Sequence, residues 1–92
     1  MWNVYESRRA QKSIDRLSKH IIQRYEFWKN IVSLSGPEAL KQISGFRDHA
    51  LKGNWEGYRS SSLNDQYRVL YHIDRKEIIV EVFDMNAHNY KI

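Results

Sequence analysis

Hydrophobic positions along this 92-residue chain change their period twice. Trp2 and Val4 flank the polar Asn3, an alternation that predicts a short first strand over residues 2–6. From Ser7 the spacing becomes helical. Ala10, Ile14, Leu17 and Ile21 share one face, while Arg9, Lys12, Arg16 and Lys19 fall mostly between them. A second helical stripe runs through Ile21, Tyr25, Trp28 and Val32, widened by Ile22, Phe27, Ile31 and Leu34. Ser18 is placed either to cap that helix or to bend the chain between two helices. Gly36 marks its end, and Pro37 suits the first position of a short new helix over 37–43. Residues 44–54 read as loop, punctuated by Gly45 and Gly53.

The last third returns to a period of two. Trp55 to Leu63 is one run, Tyr67, Val69, Tyr71 and Ile73 alternate strictly in the next, and Ile78 to Phe83 is a third. Asn64-Asp65 and Asp74-Arg75-Lys76 separate them at hairpin lengths. The predicted order is β-α-α-β-β-β: an α+β fold in one domain, residues 1–92, with a small, largely antiparallel sheet packed on two N-terminal helices.

Charge adds an asymmetry to this pattern. The net charge is +4, and residues 1–29 carry seven Lys/Arg against three acids, whereas residues 30–92 carry eight of each. The basic first third suits an anionic partner, nucleic acid or an acidic protein, and equally suits a solvated helix face. There is no cysteine, which excludes disulfides, thiolate metal sites and cysteine nucleophiles and fits a cytoplasmic setting. No apolar run reaches the length of a signal peptide or a membrane span. Phosphate-binding, serine-hydrolase and zinc-protease signatures are absent, and His20, His49, His72 and His88 lack close metal-ligand spacing, so no metal or other cofactor is expected.

Two segments concentrate reactive side chains. One is Asp48 to Arg59, with His49, Lys52, Tyr58 and Arg59; the other is Asn86 to Lys91, with His88 and Tyr90. If they meet at one edge of the sheet, His49, Lys52, His88, Tyr90 and either Arg68 or Arg59 would line a shallow cleft. Such a set suits RNA. Lysine and arginine hold phosphates and stabilise a pentavalent transition state, histidine exchanges protons near neutral pH, and tyrosine stacks on a base. Each residue also has a plainer use. His49 can tether its loop, Trp55 and Tyr58 can belong to sheet and core, His72 can be structural, and Arg59 and Arg68 can pair across strands with Glu81 or Asp84.

The block from Phe46 to Tyr71, with its D-H-x-L-x-G and Y-R-V-x-Y elements, resembles toxins of the RelE/ParE superfamily, especially the HigB/YafQ-like group. The ending Ala87-His88-Asn89-Tyr90 resembles their common H-D-Y ending, and the opening V-Y-x-S-x-x-A-x-K-x-I is similar to their first strand and helix. The resemblance implies a microbial RNase fold and a metal-independent endoribonuclease that enters the ribosomal A site and cleaves mRNA. It implies His88, Tyr90, His49 and Lys52 as catalytic groups, and it matches Arg68 to the strand arginine of the family. Arg59, Lys91, Lys12 and Arg16 are the further expected RNA contacts. It also implies a cognate antitoxin encoded nearby, held in a hetero-oligomer. Three positions depart from the family pattern. Ser62 stands where relatives often carry arginine or histidine, Asn89 replaces an aspartate, and Ala87 replaces a lysine. Each removes a charged or titratable group. The alternatives are a ParE-like inhibitor of DNA gyrase, against which His88 and Tyr90 argue, and a catalytically weak homologue that acts only by binding antitoxin or RNA.

Overall fold

Five strands form one sheet in the order β1-β5-β4-β3-β2, and two helices cover one of its faces. The computed structural model describes residues 2–74 and 79–87. The elements are β1 (Asn3–Glu6), α1 (Arg8–Ile14), α2 (Lys19–Ser35), β2 (His49–Ala50), β3 (Arg59–Ser62), β4 (Tyr67–Asp74) and β5 (Ile79–Ala87). The α+β class and the helix-backed sheet agree with the sequence reading. The sheet departs from it in two ways. A two-residue strand, β2, lies within the expected loop, and β1 runs parallel to β5, with Asn3 opposite Ile79 and Glu6 opposite Val82. The remaining neighbours are antiparallel.

The helical boundaries follow from local chemistry. Ser7 caps α1 by accepting a hydrogen bond from the Ala10 amide at 3.0 Å, which satisfies one of the free donors of the first turn. The expected run from Ser7 to Ile21 is broken after Ile14. The Arg16 and Leu17 amides turn back to the carbonyls of Ser13 and Ile14, both at 3.1 Å, and a new helix starts at Lys19. Ser18 makes no side-chain cap bond, so its position serves the bend. Leu17 is buried in the core from the turn itself, which is why the hydrophobic spacing hides the break. At the far end, Gly36 adopts φ 88, and its amide closes on the Val32 carbonyl at 2.8 Å. A Cβ there would lie 2.8 Å from the Trp2 indole nitrogen, so both the backbone angle and the space call for glycine. The expected short helix over 37–43 is a 3-10 segment, Pro37–Gln42.

Strand lengths differ from the hydrophobic runs. Trp55 lies in a 3-10 turn, Gly53–Trp55, and Gly57 at φ 96 redirects the chain before β3 begins at Arg59. The expected strand over 55–63 is therefore cut to its second half. β4 matches its alternating run, and β5 continues past Phe83 to Ala87. The β3–β4 turn is held by Asn64, whose side-chain oxygen accepts from the amides of Gln66 (2.8 Å) and Tyr67 (2.7 Å). The second hairpin, at Arg75-Lys76, falls outside the described residues.

The core lies between α2 and the sheet. Tyr25, Trp28 and Val32 from α2, Leu40 and Phe46 from the connection, and Val69 and Tyr71 from β4 are each fully buried. Trp28 meets Tyr71 edge-on at 5.2 Å and stacks beside Tyr25 at 5.8 Å. Because strand side chains alternate, Tyr67, Val69, Tyr71 and Ile73 face the helices, and Arg68, Leu70 and His72 face away from them. Tyr25 donates to Glu6 at 2.5 Å, tying α2 to β1. Burial first, then that carboxylate, pushes the Tyr25 phenol well above its usual range.

Candidate functional site

The Phe46–Arg59 segment sets up two clusters on opposite faces of the sheet. Arg47 takes a left-handed conformation, φ 47, just before β2. Asp48 then turns inward, and its side chain is wholly buried. Its Oδ1 accepts from Arg59 Nε at 2.9 Å and Nη2 at 2.6 Å, and its Oδ2 accepts from Ser61 Oγ at 2.6 Å and from the Tyr71 hydroxyl. One carboxylate thus joins β3 and β4 to the chain entering β2. Burial lowers the affinity of Arg59 for its proton, but the hydrogen bond and charge of Asp48 outweigh that and raise it. Burial and the same carboxylate hold the Tyr71 phenol protonated far above its usual range.

His49 leaves β2 on the other side. It pairs with Ser60, which pairs in turn with Leu70, so these three residues cross the outer face in one row. The next row carries Ser62 and Arg68, with Arg68 opposite Asn86 on its other side. Arg68 Nη1 donates to Ser62 Oγ. At the other end of the face, His72 meets the Tyr58 ring at 5.4 Å, and Tyr58 meets Trp55 at 5.4 Å, both edge-on. His49 is exposed, and its Nδ1 lies 2.8 Å from the Arg47 carbonyl. A carbonyl only accepts, so Nδ1 carries the hydrogen, and in the neutral ring Nε2 is left as the basic nitrogen. Exposed Lys52 follows β2 and opens the next turn.

The expected site residues are therefore distributed as follows. His49 and Arg68 share the outer face, with Lys52 at its rim. Arg59 belongs to the inner face, where Asp48 is an acid it pairs with. Arg68 donates to Ser62; the side chains of Glu81 and Asp84 lie outside the described ones. Lys12 and Arg16 are exposed on the helical layer, with the sheet between them and the outer face. His88, Tyr90 and Lys91 fall outside the described residues; the last residue of β5, Ala87, pairs with Tyr67, next to the Arg68–Asn86 pair. Trp55 and Tyr58 are half-buried members of an aromatic chain that belongs neither to a strand nor to the core cluster, which departs from their plainer reading as sheet and core residues. Sequence reasoning assigned no role to Asp48, Ser61 or Tyr71 as a cluster. Their only signal was an acid immediately before His49. Among the described residues, no group of three or more His, Cys, Asp or Glu side chains is placed to hold a metal ion.

The helix-backed sheet is the fold of solved RelE-like toxins. The RelE–RelB complex from Pyrococcus horikoshii OT3 is matched at a TM-score of 0.75 and 19% identity, over 98% of this chain and 98% of that one. The YoeB–YefM complex from Staphylococcus aureus gives 0.74 at 21% identity, over 97% and 99%. The E. coli DinJ–YafQ toxin–antitoxin complex gives 0.73 at 16%, over 95% and 92%. The chain thus has the RelE-like toxin fold from end to end. No protein-family model and no curated protein sequence matches it.

Proposed function

We propose that this chain is the toxin of a type II toxin–antitoxin pair, a YafQ-like member of the RelE/ParE superfamily that cleaves mRNA on the ribosome. The observation that carries this reading is the RelE-like fold, which sets the exposed His49 ring and Arg68 on the sheet face away from the helices, with exposed Lys52 following β2. The reaction suited to these groups is transesterification within RNA. The 2′-oxygen attacks the adjacent phosphorus, its proton passes to a basic nitrogen, and the P–O5′ bond breaks as the leaving oxygen takes up a proton. The products are a 2′,3′-cyclic phosphate and a 5′-hydroxyl. His49 and His88 are the proton-exchanging candidates, Lys52 and Arg68 stabilise charge on the phosphoryl oxygens, and Tyr90 positions or stacks on the RNA. Lys12 and Arg16, on the helical layer, suit the phosphate backbone of a larger RNA or an acidic segment of the antitoxin.

A second reading is favoured by one feature. Ser62 stands where the resemblance expects arginine or histidine, and its hydroxyl, which accepts from Arg68, neither carries charge nor exchanges a proton near neutral pH; a chain that only binds its antitoxin would look the same.

The test is controlled expression in bacteria with 5′-end mapping of translated messages. New ends in register with codons, lost in His88→Ala and His49→Ala, support the nuclease. Growth arrest without new ends points to gyrase, and neither effect points to the binding-only reading.

A further inference from the structure

The Asp48 carboxylate and the His49 ring are adjacent in sequence yet lie on opposite faces of the sheet, one sealed and one exposed. Four hydrogen bonds fix the first; the second depends on a two-residue strand and one bond to the Arg47 carbonyl. A strand that short has little pairing of its own to set its position. We propose that Asp48 is the positioning residue of the outer-face site: by clamping β2 to Arg59, Ser61 and Tyr71, it fixes where His49 Nε2 meets the RNA. The proposal rests on the nuclease reading given above.

The Asp48 hydrogen bonds to Arg59, Ser61 and Tyr71 all lie on the inner face, so it acts through the backbone it anchors. Its oxygens are fully subscribed: Oδ1 holds both Arg59 nitrogens, and Oδ2 holds the two hydroxyls. An asparagine there has one acceptor oxygen and an NH2 that would face donors, either the two hydroxyls or the guanidinium. The inner cluster must then rearrange, and the Arg47–His49 turn that carries Asp48 shifts with it. Removing Ser61 Oγ is a milder change of the same kind, deleting one small donor at a buried position where alanine fits.

The test is a double-mutant cycle on cleavage of a defined message in a reconstituted translation system, with Asp48→Asn, Ser61→Ala, His49→Ala and the two double variants. Asp48→Asn and His49→Ala should each lower kcat at least tenfold, with KM within about twofold. Adding either inner-face change to His49→Ala should lower kcat no more than about twofold further, because each acts through the ring already removed. In parallel, the NMR signals of the His49 ring and of the 49–52 amides should move in Ser61→Ala and move further in Asp48→Asn. Losses that multiply in the double variants would overturn the proposal, and so would unshifted His49 signals. If Asp48→Asn does not fold, Ser61→Ala carries the same comparisons. If the wild-type chain cleaves no message, the nuclease reading fails, and the His49 signals alone decide whether Asp48 sets that ring.

Discussion

Arg59 and Arg68 stand on neighbouring strands of one ladder and point to opposite faces of the sheet. Arg59 is drawn inward by Asp48 at 2.6 Å, whereas Arg68 donates outward to Ser62. Their replacement should therefore separate stability from activity. Arg59→Ala leaves a buried carboxylate without its cation and should destabilise the fold by about 3 kcal/mol. Arg68→Ala takes a donor from the buried but uncharged Ser62 hydroxyl and should cost about 1–2 kcal/mol, while RNA cleavage falls at least tenfold. Urea unfolding and a cleavage assay on both variants check the pair.

Alkaline pH should weaken the fold through two phenols. The folded pKa values of Tyr25 and Tyr71 are raised by burial and by their carboxylate partners, from an ordinary 10.0. A raised acid is protonated in the folded state where the unfolded chain has already lost its proton. The stabilisation is complete below pH 10 and declines as pH rises beyond it, by about 1.4 kcal/mol per pH unit for each phenol. Tyr71→Phe removes one of them. Its stability should be lower at pH 8, by about 1–2 kcal/mol for the lost bond to Asp48, and should fall less steeply above pH 10. Denaturant melts from pH 8 to 11 measure both slopes; equal slopes would remove Tyr71 from the effect.

The break between helix and 3-10 segment depends on Gly36. Its φ of 88 and the Trp2 indole 2.8 Å from the position of a Cβ leave no room for alanine. Gly36→Ala should cost about 1–3 kcal/mol. Thermal melting and the Trp2 fluorescence maximum should shift together, since the indole is the group displaced.

Much of this fold was legible along the chain because its elements write themselves locally. Tyr67 to Ile73 alternate without a fault, and the stripe of Ile21, Tyr25, Trp28 and Val32 is the buried face of α2. Features that depend on residues distant in sequence were not legible. Nothing near Asn3–Glu6 indicates that this strand runs parallel to β5, at the far end of the chain. A bend was one of the two roles open to Ser18, but that α1 stops as early as Ile14 is masked because Leu17 reaches the core either way. For the site, the histidine and lysine after Asp48 were visible as reactive residues, but periodicity alone did not separate Arg59 from Arg68. Their faces follow from the register of β3 on β4 and from an aspartate in a loop. The resemblance in the Phe46–Tyr71 block includes Asp48 but does not reveal that this acid faces inward.

His49 and Lys52 should affect cleavage without affecting the fold. Both are exposed, and among the described residues His49 is held by a bond to a backbone carbonyl. His49→Gln and Lys52→Ala should each melt within about 2 °C of the parent, as surface changes do, while cleavage falls at least tenfold for the first and severalfold for the second. Loss of the fold in either variant would show that the β2 region is structural first.

The most direct measurement concerns the central claim, that the outer face cleaves RNA on the ribosome. Purified chain is added to a reconstituted translation system holding one radiolabelled message, with ribosomes present or omitted, and the products are sized and their ends identified. The account predicts cuts within the open reading frame that need ribosomes, leave a 2′,3′-cyclic phosphate and a 5′-hydroxyl, and disappear in His49→Ala and Arg68→Ala but persist in Lys12→Ala. An intact message under all conditions, or cleavage undiminished in both outer-face variants, would contradict it.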